Sequence, residues 1–256
     1  MLPWHFQRIC VQPGRKIYGL LIEHDPSYKI GKELMNILYD YSTFLISYIS
    51  TYEEDREEDL AIIDMTNLTI DLKELKEEIG RIKGVRRVEE LEPVEEGLFV
   101  DYMHHPLTLL GGRALLLREP ALSKIVNDGY RRFGEPFSIW LYYTGKDAGR
   151  AFYESHVSIL RKFDEEKVLK LSRYMFQIVG FGLLEHVKVG EEEALVRVRD
   201  SLEVEVNSGS GRSCQFVRGM LEGWFSGFFG RDAECVETKC ENRGDEYCEF
   251  EIRVRS

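Results

Sequence analysis

Residues 235–250 read CVETKCENRGDEYCEF, and this stretch decides how the C-terminal part of the chain folds. Side chains suited to strands stand at both ends of it, and between them lies the polar turn 242–245, whose glycine suits a tight reversal. The pattern predicts a β-hairpin with strands around 233–238 and 247–254.

Four of the chain's five cysteines belong to this hairpin or to the helix predicted before it, residues 213–229. Cys214 falls in the first turn of that helix, while Cys240 and Cys248 fall on the two arms of the hairpin. A helix docked on the hairpin would bring the three thiols together, and Glu237 would add an oxygen. Such donors suit a structural zinc ion, so a shared metal is favoured over a disulfide or over packing alone.

Two cysteines stand apart from this set. Cys235 precedes Glu237 by two residues and is expected to face inward, and Cys10 is isolated near the start of the chain. A free cysteine commonly serves as a small core hydrophobe, which is the role we predict for both.

The composition of the 256-residue chain is that of a globular protein with two modest domains, at 43% hydrophobic and 12% aromatic residues. No apolar run approaches the roughly 18 residues of a membrane span. The start lacks the features of a secretory signal, so we expect a cytoplasmic protein. A net charge of −11 and the lack of a basic stripe argue against direct nucleic-acid binding. The charged share of 31% is typical of thermophile surfaces.

The first part of the chain alternates strands and helices in the order β-α-β-β-α-β, the ferredoxin-like arrangement. Strands are predicted at 16–23, 43–50, 59–65 and 85–91, and helices at 27–40 and 71–82. The order and the segment HDPSYKIGKELMNIL at 24–38 resemble an ACT domain, a module that often binds amino acids at a dimer interface. Ser27 stands where that family usually has glycine, so a platform that only dimerises is the alternative.

A polar segment with proline and glycine, residues 92–97, marks the predicted boundary between domains at 1–95 and 98–256. In the second domain we predict helices at 120–133, 146–163 and 164–179, a strand at 136–143, and a hairpin of strands at 186–190 and 194–200. The expected fold is α+β in both domains, with an antiparallel sheet packed on helices in the second.

Over about residues 100–256 the chain resembles the 4-vinyl-reductase domain family. The residues that carry the resemblance are Cys214, the glycine-containing helix after it, Glu237-x-x-Cys240, Gly244, Cys248 with the aromatic residue that follows, and GFGLLEHVKV at 180–189. The resemblance implies a fold shared with vesicle-tethering subunits and haem-based nitric-oxide sensors. By analogy with the sensor domains of phenol-responsive activators, it also implies zinc held by Cys214, Glu237, Cys240 and Cys248.

The same resemblance implies a small hydrophobic or aromatic molecule bound between helices and sheet. Aromatic side chains and one histidine occur on elements expected to converge there. The candidate ligand-binding residues are Trp140, Tyr142, Phe152, His156, Phe176 and Trp224. An apolar pocket with few polar groups is the usual design for such a ligand, and an ordinary aromatic core is the alternative.

The sequence contains no phosphate loop, nucleophile elbow or metalloprotease motif, and a metal held by four protein ligands has no open position. We therefore expect a protein that is not an enzyme: a zinc-containing sensor or regulator that signals through a homodimer or a partner regulatory protein. The alternatives are a structural adaptor of the tethering-subunit type and an accessory factor in tetrapyrrole or hydrocarbon metabolism.

Overall fold

In the computed structural model the chain divides into two units, one ending at Leu107 and the other beginning at Thr108. The structure describes residues 6–53, 56–68, 70–160 and 162–255. Leu98–Val100, which the sequence assigns to the second domain, pairs with Ile9–Val11 and so belongs to the first unit. This pairing places the division after the polar segment 92–97.

The first unit has the predicted ferredoxin-like order. Its elements are β1 (Ile9–Val11), β2 (Ile17–His24), α1 (Gly31–Asp40), β3 (Phe44–Glu53), β4 (Arg56–Asp64), α2 (Leu72–Gly80), β5 (Val85–Leu91) and β6 (Leu98–Val100). The four-stranded sheet runs β3-β4-β2-β5, and each neighbouring pair is antiparallel. The two central strands are buried on both faces, by the helices on one and by the β1–β6 ribbon on the other.

Local side-chain hydrogen bonds set where the two helices of this unit begin. The Asp71 carboxylate accepts from the Glu74 amide at 2.8 Å, which caps α2 as predicted. Helix α1 begins at Gly31, four residues later than predicted, because the Asp25 carboxylate accepts from the amide and hydroxyl of Ser27. That turn holds the segment after β2 out of the helix.

The second unit packs an antiparallel sheet against helices, as predicted. Its elements are β7 (Thr108–Leu109), β8 (Gly112–Arg113), α3 (Glu119–Phe133), α4 (Glu135–Ile159), α5 (Glu165–Ile178), β9 (Leu183–Val189), β10 (Glu193–Arg199), α6 (Leu202–Val206), α7 (Gln215–Phe229), β11 (Ala233–Lys239), a 3₁₀ turn (Glu241–Arg243) and β12 (Cys248–Val254). The sheet runs β11-β12-β10-β9. The apolar face of α7 and the inner face of the sheet form the largest core of the unit.

The strand predicted at 136–143 is wrong, because these residues form the first turns of α4. Aromatic and β-branched side chains there favour a strand, but Pro136 suits the first turn of a helix, and α4 continues unbroken to Ile159. The helix predicted at 146–163 is the second part of the same element. Residue 161 of that range lies outside the described residues.

Helices α4 and α7 touch backbone to backbone through two pairs of glycines. A Cβ atom on Gly145 or Gly149 of α4 would lie 2.1 or 2.0 Å from a carbonyl oxygen of α7. A Cβ on Gly219 or Gly223 of α7 would lie 2.0 or 1.9 Å from a carbonyl oxygen of α4. The four-residue spacing puts each pair on one side of its helix, so this contact fixes α7 against α4.

Candidate metal site and apolar cavity

Three thiols and one carboxylate converge where the start of α7 meets the hairpin of β11 and β12. Cys214 is the residue just before α7, at its N-cap rather than in its first turn. Cys240 follows β11 directly, and Cys248 is the first residue of β12. Glu237 of β11 completes the group, and the four ligand atoms lie within 4.8 Å of one another. The residues that the sequence singled out are thus close together in space.

The sulfur atoms are spaced as ligands of one ion. Cys214 Sγ lies 4.0 Å from Cys240 Sγ and 3.8 Å from Cys248 Sγ, and the third separation is 3.9 Å. Zinc–sulfur bonds of about 2.3 Å at tetrahedral angles put two sulfurs roughly 3.8 Å apart. A disulfide would need about 2.05 Å, and all five cysteines are free. The donor set therefore fits a thiophilic metal ion.

Backbone and side-chain groups around the thiols orient them. The Cys240 amide donates to the Asp245 carboxylate at 2.8 Å, which closes the hairpin turn. The Glu241 amide lies 3.5 Å from Cys248 Sγ and favours its thiolate. The Cys214 amide is 3.3 Å from both oxygens of Glu237, whose carboxylate is thereby held beside the sulfurs.

The protonation of the cluster depends on its close packing. Hydrogen bonds from Cys214 and Cys248 hold the pKa of Cys240 far below its ordinary value, and the same sharing of protons raises the pKa of Cys214. Burial, then the neighbouring Cys240, raises the pKa of Glu237 to about 7. A metal ion must displace these protons, so acid weakens its binding.

A carboxylate missed by the sequence analysis supports the start of α7. The oxygens of Glu203, in α6, accept from the amides of Phe216 and Val217 at 2.9 and 2.8 Å. These amides belong to the first turn of α7, which has no earlier backbone partner for them. Burial raises the pKa of Glu203 to about 7. The sequence gives no motif for this role, because Glu203 lies in a five-residue helix that is too short to show a helical repeat of apolar residues.

The second unit also encloses an apolar cavity of about 430 Å³. It lies among α4, α5, α7, β9 and the segment 109–115. Four of the predicted ligand-binding residues line it: Phe152, His156, Phe176 and Trp224. The elements predicted to converge therefore do so around a hollow space.

Trp140 and Tyr142, the other two candidates, do not line the cavity, and their assignment followed from the mistaken strand. In the helix, Trp140 is 56% exposed and stacks on Phe137. The Tyr142 hydroxyl donates to Glu222, a buried carboxylate that also accepts from Lys146 at 2.9 Å. Tyr142 thus joins α4 to α7 instead of facing a ligand.

Several cavity residues were not predicted, and His186 is the most informative. It lies on β9 two residues from Leu184, which also lines the cavity. Residues two apart on a strand face the same side, so the alternation in LLEHVKV could have predicted that His186 faces the cavity. The segment 109–115 has no periodic pattern, and its place in the wall could not be read from the sequence.

Both cavity histidines are neutral near pH 7. Burial lowers the pKa of His156, and burial together with the charge of Arg173 lowers the pKa of His186 to about 4. The indole N–H of Trp224 donates to His156 Nδ1 at 3.2 Å, so the proton of His156 resides on Nε2. The two histidines therefore offer hydrogen bonds rather than charge to a molecule with an apolar body, and Arg113 adds a positive charge to the lining.

Acid is expected to destabilise the second unit through His186. Its pKa is lower in the folded than in the unfolded state, so between about pH 6.5 and about pH 4 the unfolded chain binds the additional proton. Stability is full above this window and falls by roughly 3 kcal/mol as pH drops through it. Denaturant unfolding measured across this range in wild type and His186→Phe tests the expectation.

The substitution His186→Phe keeps a ring beside Trp224 and Phe225 and removes the titration. Acid still acts on the thiol cluster in both proteins, so the difference between their pH profiles isolates His186. Two parallel profiles would contradict the role assigned to the histidine.

Comparison with known proteins relates part of the second unit to a known family. The family model of the 4-vinyl-reductase (V-4-R) domain matches residues 195–254, a range that contains all four residues of the thiol cluster. The resemblance of this part of the chain to that family is thereby confirmed. Over 115 residues, 44% of the chain, it is 30% identical to the uncharacterized protein MJ0150 of Methanocaldococcus jannaschii. The chain spans 63% of the length of that relative.

A solved structure supports the fold of this unit. The phenol-responsive sensory domain of the transcription activator PoxR, determined with phenol, aligns at a TM-score of 0.52 and 18% identity, covering 56% of this chain and 78% of that one. A vinyl-4-reductase family protein from Methanocaldococcus jannaschii aligns less closely, at a TM-score of 0.34 and 16% identity, covering 57% and 100%. Within the described residues, no helix combines the length and the apolar character needed to cross a membrane.

Proposed function

We propose that this protein is a non-enzymatic, zinc-containing sensor that binds a small hydrophobic or aromatic molecule in its second unit. The observation that carries the proposal is the cavity of about 430 Å³, which has the size and the mainly apolar lining of a small-molecule site. A few polar groups, among them His156 and His186, lie in an otherwise apolar wall.

The polar groups suggest the chemistry of the ligand. With Nδ1 of His156 accepting from Trp224, its Nε2–H is the group that would donate to a ligand oxygen. A neutral pair of histidines suits a hydroxylated ring, and the charge of Arg113 in the lining disfavours an amine. The phenol-sensing domain with the same fold makes phenol a reasonable first probe.

Zinc at Cys214, Glu237, Cys240 and Cys248 is the second part of the proposal. Thiolates select soft ions, and zinc accepts three thiolates and one carboxylate in a closed tetrahedral site. All four positions would then be filled by the protein, which favours a structural role. The ion would fix the start of α7 to the hairpin and leave the cavity as the responsive part.

We propose that the first unit passes on the signal of ligand binding. Its ferredoxin-like, ACT-like fold suits a homodimer or a surface for a partner regulatory protein, and signalling would run through one of these in the cytoplasm. The competing proposals are an adaptor whose cavity holds no exchangeable molecule and an accessory factor in tetrapyrrole or hydrocarbon metabolism.

Ligand binding is expected to raise the melting temperature of the second unit. A molecule at 100 times its Kd stabilises the folded state by about 2.7 kcal/mol, or roughly 5–10 °C for a domain of this size. Phenol, indole and palmitate, compared by thermal shift, separate aromatic from long-chain ligands. Native mass spectrometry of freshly purified protein would reveal a molecule retained from the cell.

The same substitution at two tryptophans provides the control. Trp224→Phe alters the cavity wall and removes the hydrogen bond to His156, so it should abolish most of the shift. Trp140→Phe changes a residue outside the cavity and should leave the shift intact. Equal shifts in both variants would contradict binding at this cavity, whereas no shift and no retained molecule in the wild type would favour the adaptor.

A further inference from the structure

A second group of metal-ligating side chains lies in the first unit, at one end of its sheet. His24 ends β2, and Glu57 and Asp59 lie on β4, where Glu57 is the direct cross-strand partner of His24. One nitrogen and two carboxylate oxygens from these residues lie within 4.8 Å of one another. His24 is 2% exposed and Asp59 is 1% exposed, while Glu57 is half-buried.

Asp59 has a buried oxygen that nothing in the described part of the chain satisfies. Its Oδ2 accepts from the Tyr48 hydroxyl and lies 3.2 Å from His24 Nε2. Its Oδ1 is buried without a hydrogen-bond partner. A buried carboxylate oxygen left in this way is costly, and such an orphan calls for an unrecorded water or ion.

The tautomer of His24 also supports an ion beside Asp59. His24 Nδ1 lies 3.2 Å from the carbonyl oxygen of Asp25, which can only accept, so Nδ1 carries the proton. In the neutral ring, Nε2 then directs a lone pair at the carboxylate of Asp59. A histidine that donates one N–H to a carbonyl and presents the other nitrogen is the usual arrangement of a metal ligand.

The distance between two of the donor atoms is close to that between ligands of one ion. Metal–nitrogen and metal–oxygen bonds of about 2.0–2.2 Å at tetrahedral angles separate the two donor atoms by roughly 3.4 Å. The separation from His24 Nε2 to Asp59 Oδ2 is 3.2 Å. A plain imidazolium–carboxylate pair would also satisfy these two atoms but would leave Asp59 Oδ1 unpaired, whereas an ion held by both oxygens of Asp59 would satisfy it.

We infer that His24, Glu57 and Asp59 form a second divalent-metal site, separate from the thiol cluster and independent of the proposed sensor function. Two carboxylates and a neutral imidazole carry a charge of −2, which a dication balances. Burial and the neighbouring Asp59 raise the pKa of Tyr48, so its hydroxyl keeps its proton and positions Oδ2. This nitrogen and oxygen set suits zinc, manganese, iron or cobalt and lacks the thiolates of the other site.

Cobalt(II) distinguishes the two sites in the full-length protein, because only thiolate ligation gives a strong sulfur-to-cobalt charge-transfer band. Chelator-treated protein is titrated with Co²⁺, and the bound ions are counted by native mass spectrometry. We expect two Co²⁺ per chain in the wild type and one in Asp59→Asn, with the thiolate band unchanged. Tyr48→Phe retains all three donors and should still bind two ions.

A single Co²⁺ per wild-type chain, accompanied by the thiolate band, would overturn the inference, and so would two ions in both wild type and Asp59→Asn. The count in the wild type decides the matter even where a substitution disturbs folding. His24→Gln, checked by circular dichroism, provides a second variant that should bind one ion.

Discussion

The variant Cys240→Ser is expected to lose the zinc ion proposed for the thiol cluster and to unfold in the second unit at temperatures where the wild type is folded. Structural zinc contributes about 10–16 kcal/mol of apparent binding free energy in small zinc domains. The whole stability of a typical domain is about 5–15 kcal/mol. Removal of one of four ligands therefore removes an interaction as large as the net stability of the unit.

The measurement combines zinc content by native mass spectrometry with thermal unfolding followed by circular dichroism. Cys235→Ser is the matched control, because Cys235 is also fully buried on the hairpin but lies outside the cluster. That control should keep one zinc ion and lose only about 1–3 kcal/mol, the cost of placing a hydroxyl in an apolar site. Zinc retained equally by both variants would contradict the assignment of Cys240 as a ligand.

The second large effect is expected for Gly149→Ala. A methyl group at this position would lie 2.0 Å from the carbonyl oxygen of Met220, so α4 and α7 must separate along their contact. Overpacking of this kind usually costs about 1–3 kcal/mol, and we expect a value at or above the top of that range because the obstacle is backbone. Denaturant unfolding of the purified variant measures the loss.

Gly80→Ala is the control for this substitution. Gly80 is also helical, at the end of α2, and a Cβ atom there would meet nothing within 4 Å. Alanine should stabilise this position by about 0.5–1 kcal/mol because it restricts the unfolded chain. Equal changes in the free energy of unfolding in the two alanine variants would contradict the stabilising role of the close contact between α4 and α7.

The first unit was predictable from the sequence because its strands and helices differ clearly in period and are joined by short turns. The thiol cluster was predictable for another reason: cysteines are few, and a hairpin with Cys240 and Cys248 on its arms leaves little freedom in their placement. The first prediction depended on local patterns, and the second also required the helix that begins near Cys214 to dock on the hairpin. Neither required knowledge of which helices pack together.

The errors arose where tertiary contacts override local preference. The start of α4 carries β-favouring residues, and its helical state is supported by glycines such as Gly145 that meet α7 far along the chain. The strand prediction put Trp140 and Tyr142 among the expected cavity residues, whereas in α4 they do not line the cavity. The glycines of α4 and α7, spaced by four residues, were the signal of close helix packing that the sequence analysis missed.

The contact between α4 and α7 makes one side of the cavity unyielding. Cys214 lies just before α7 and Trp224 lies within it, about 15 Å further along at 1.5 Å per residue. Cys214 belongs to the thiol cluster and Trp224 lines the cavity. At these glycines no side chain separates the two backbones, so sliding or tilting one helix against the other would bring backbone atoms into collision. The other walls of the cavity, formed by α5, β9 and the segment 109–115, lie outside this contact and are the parts that a bound molecule could move.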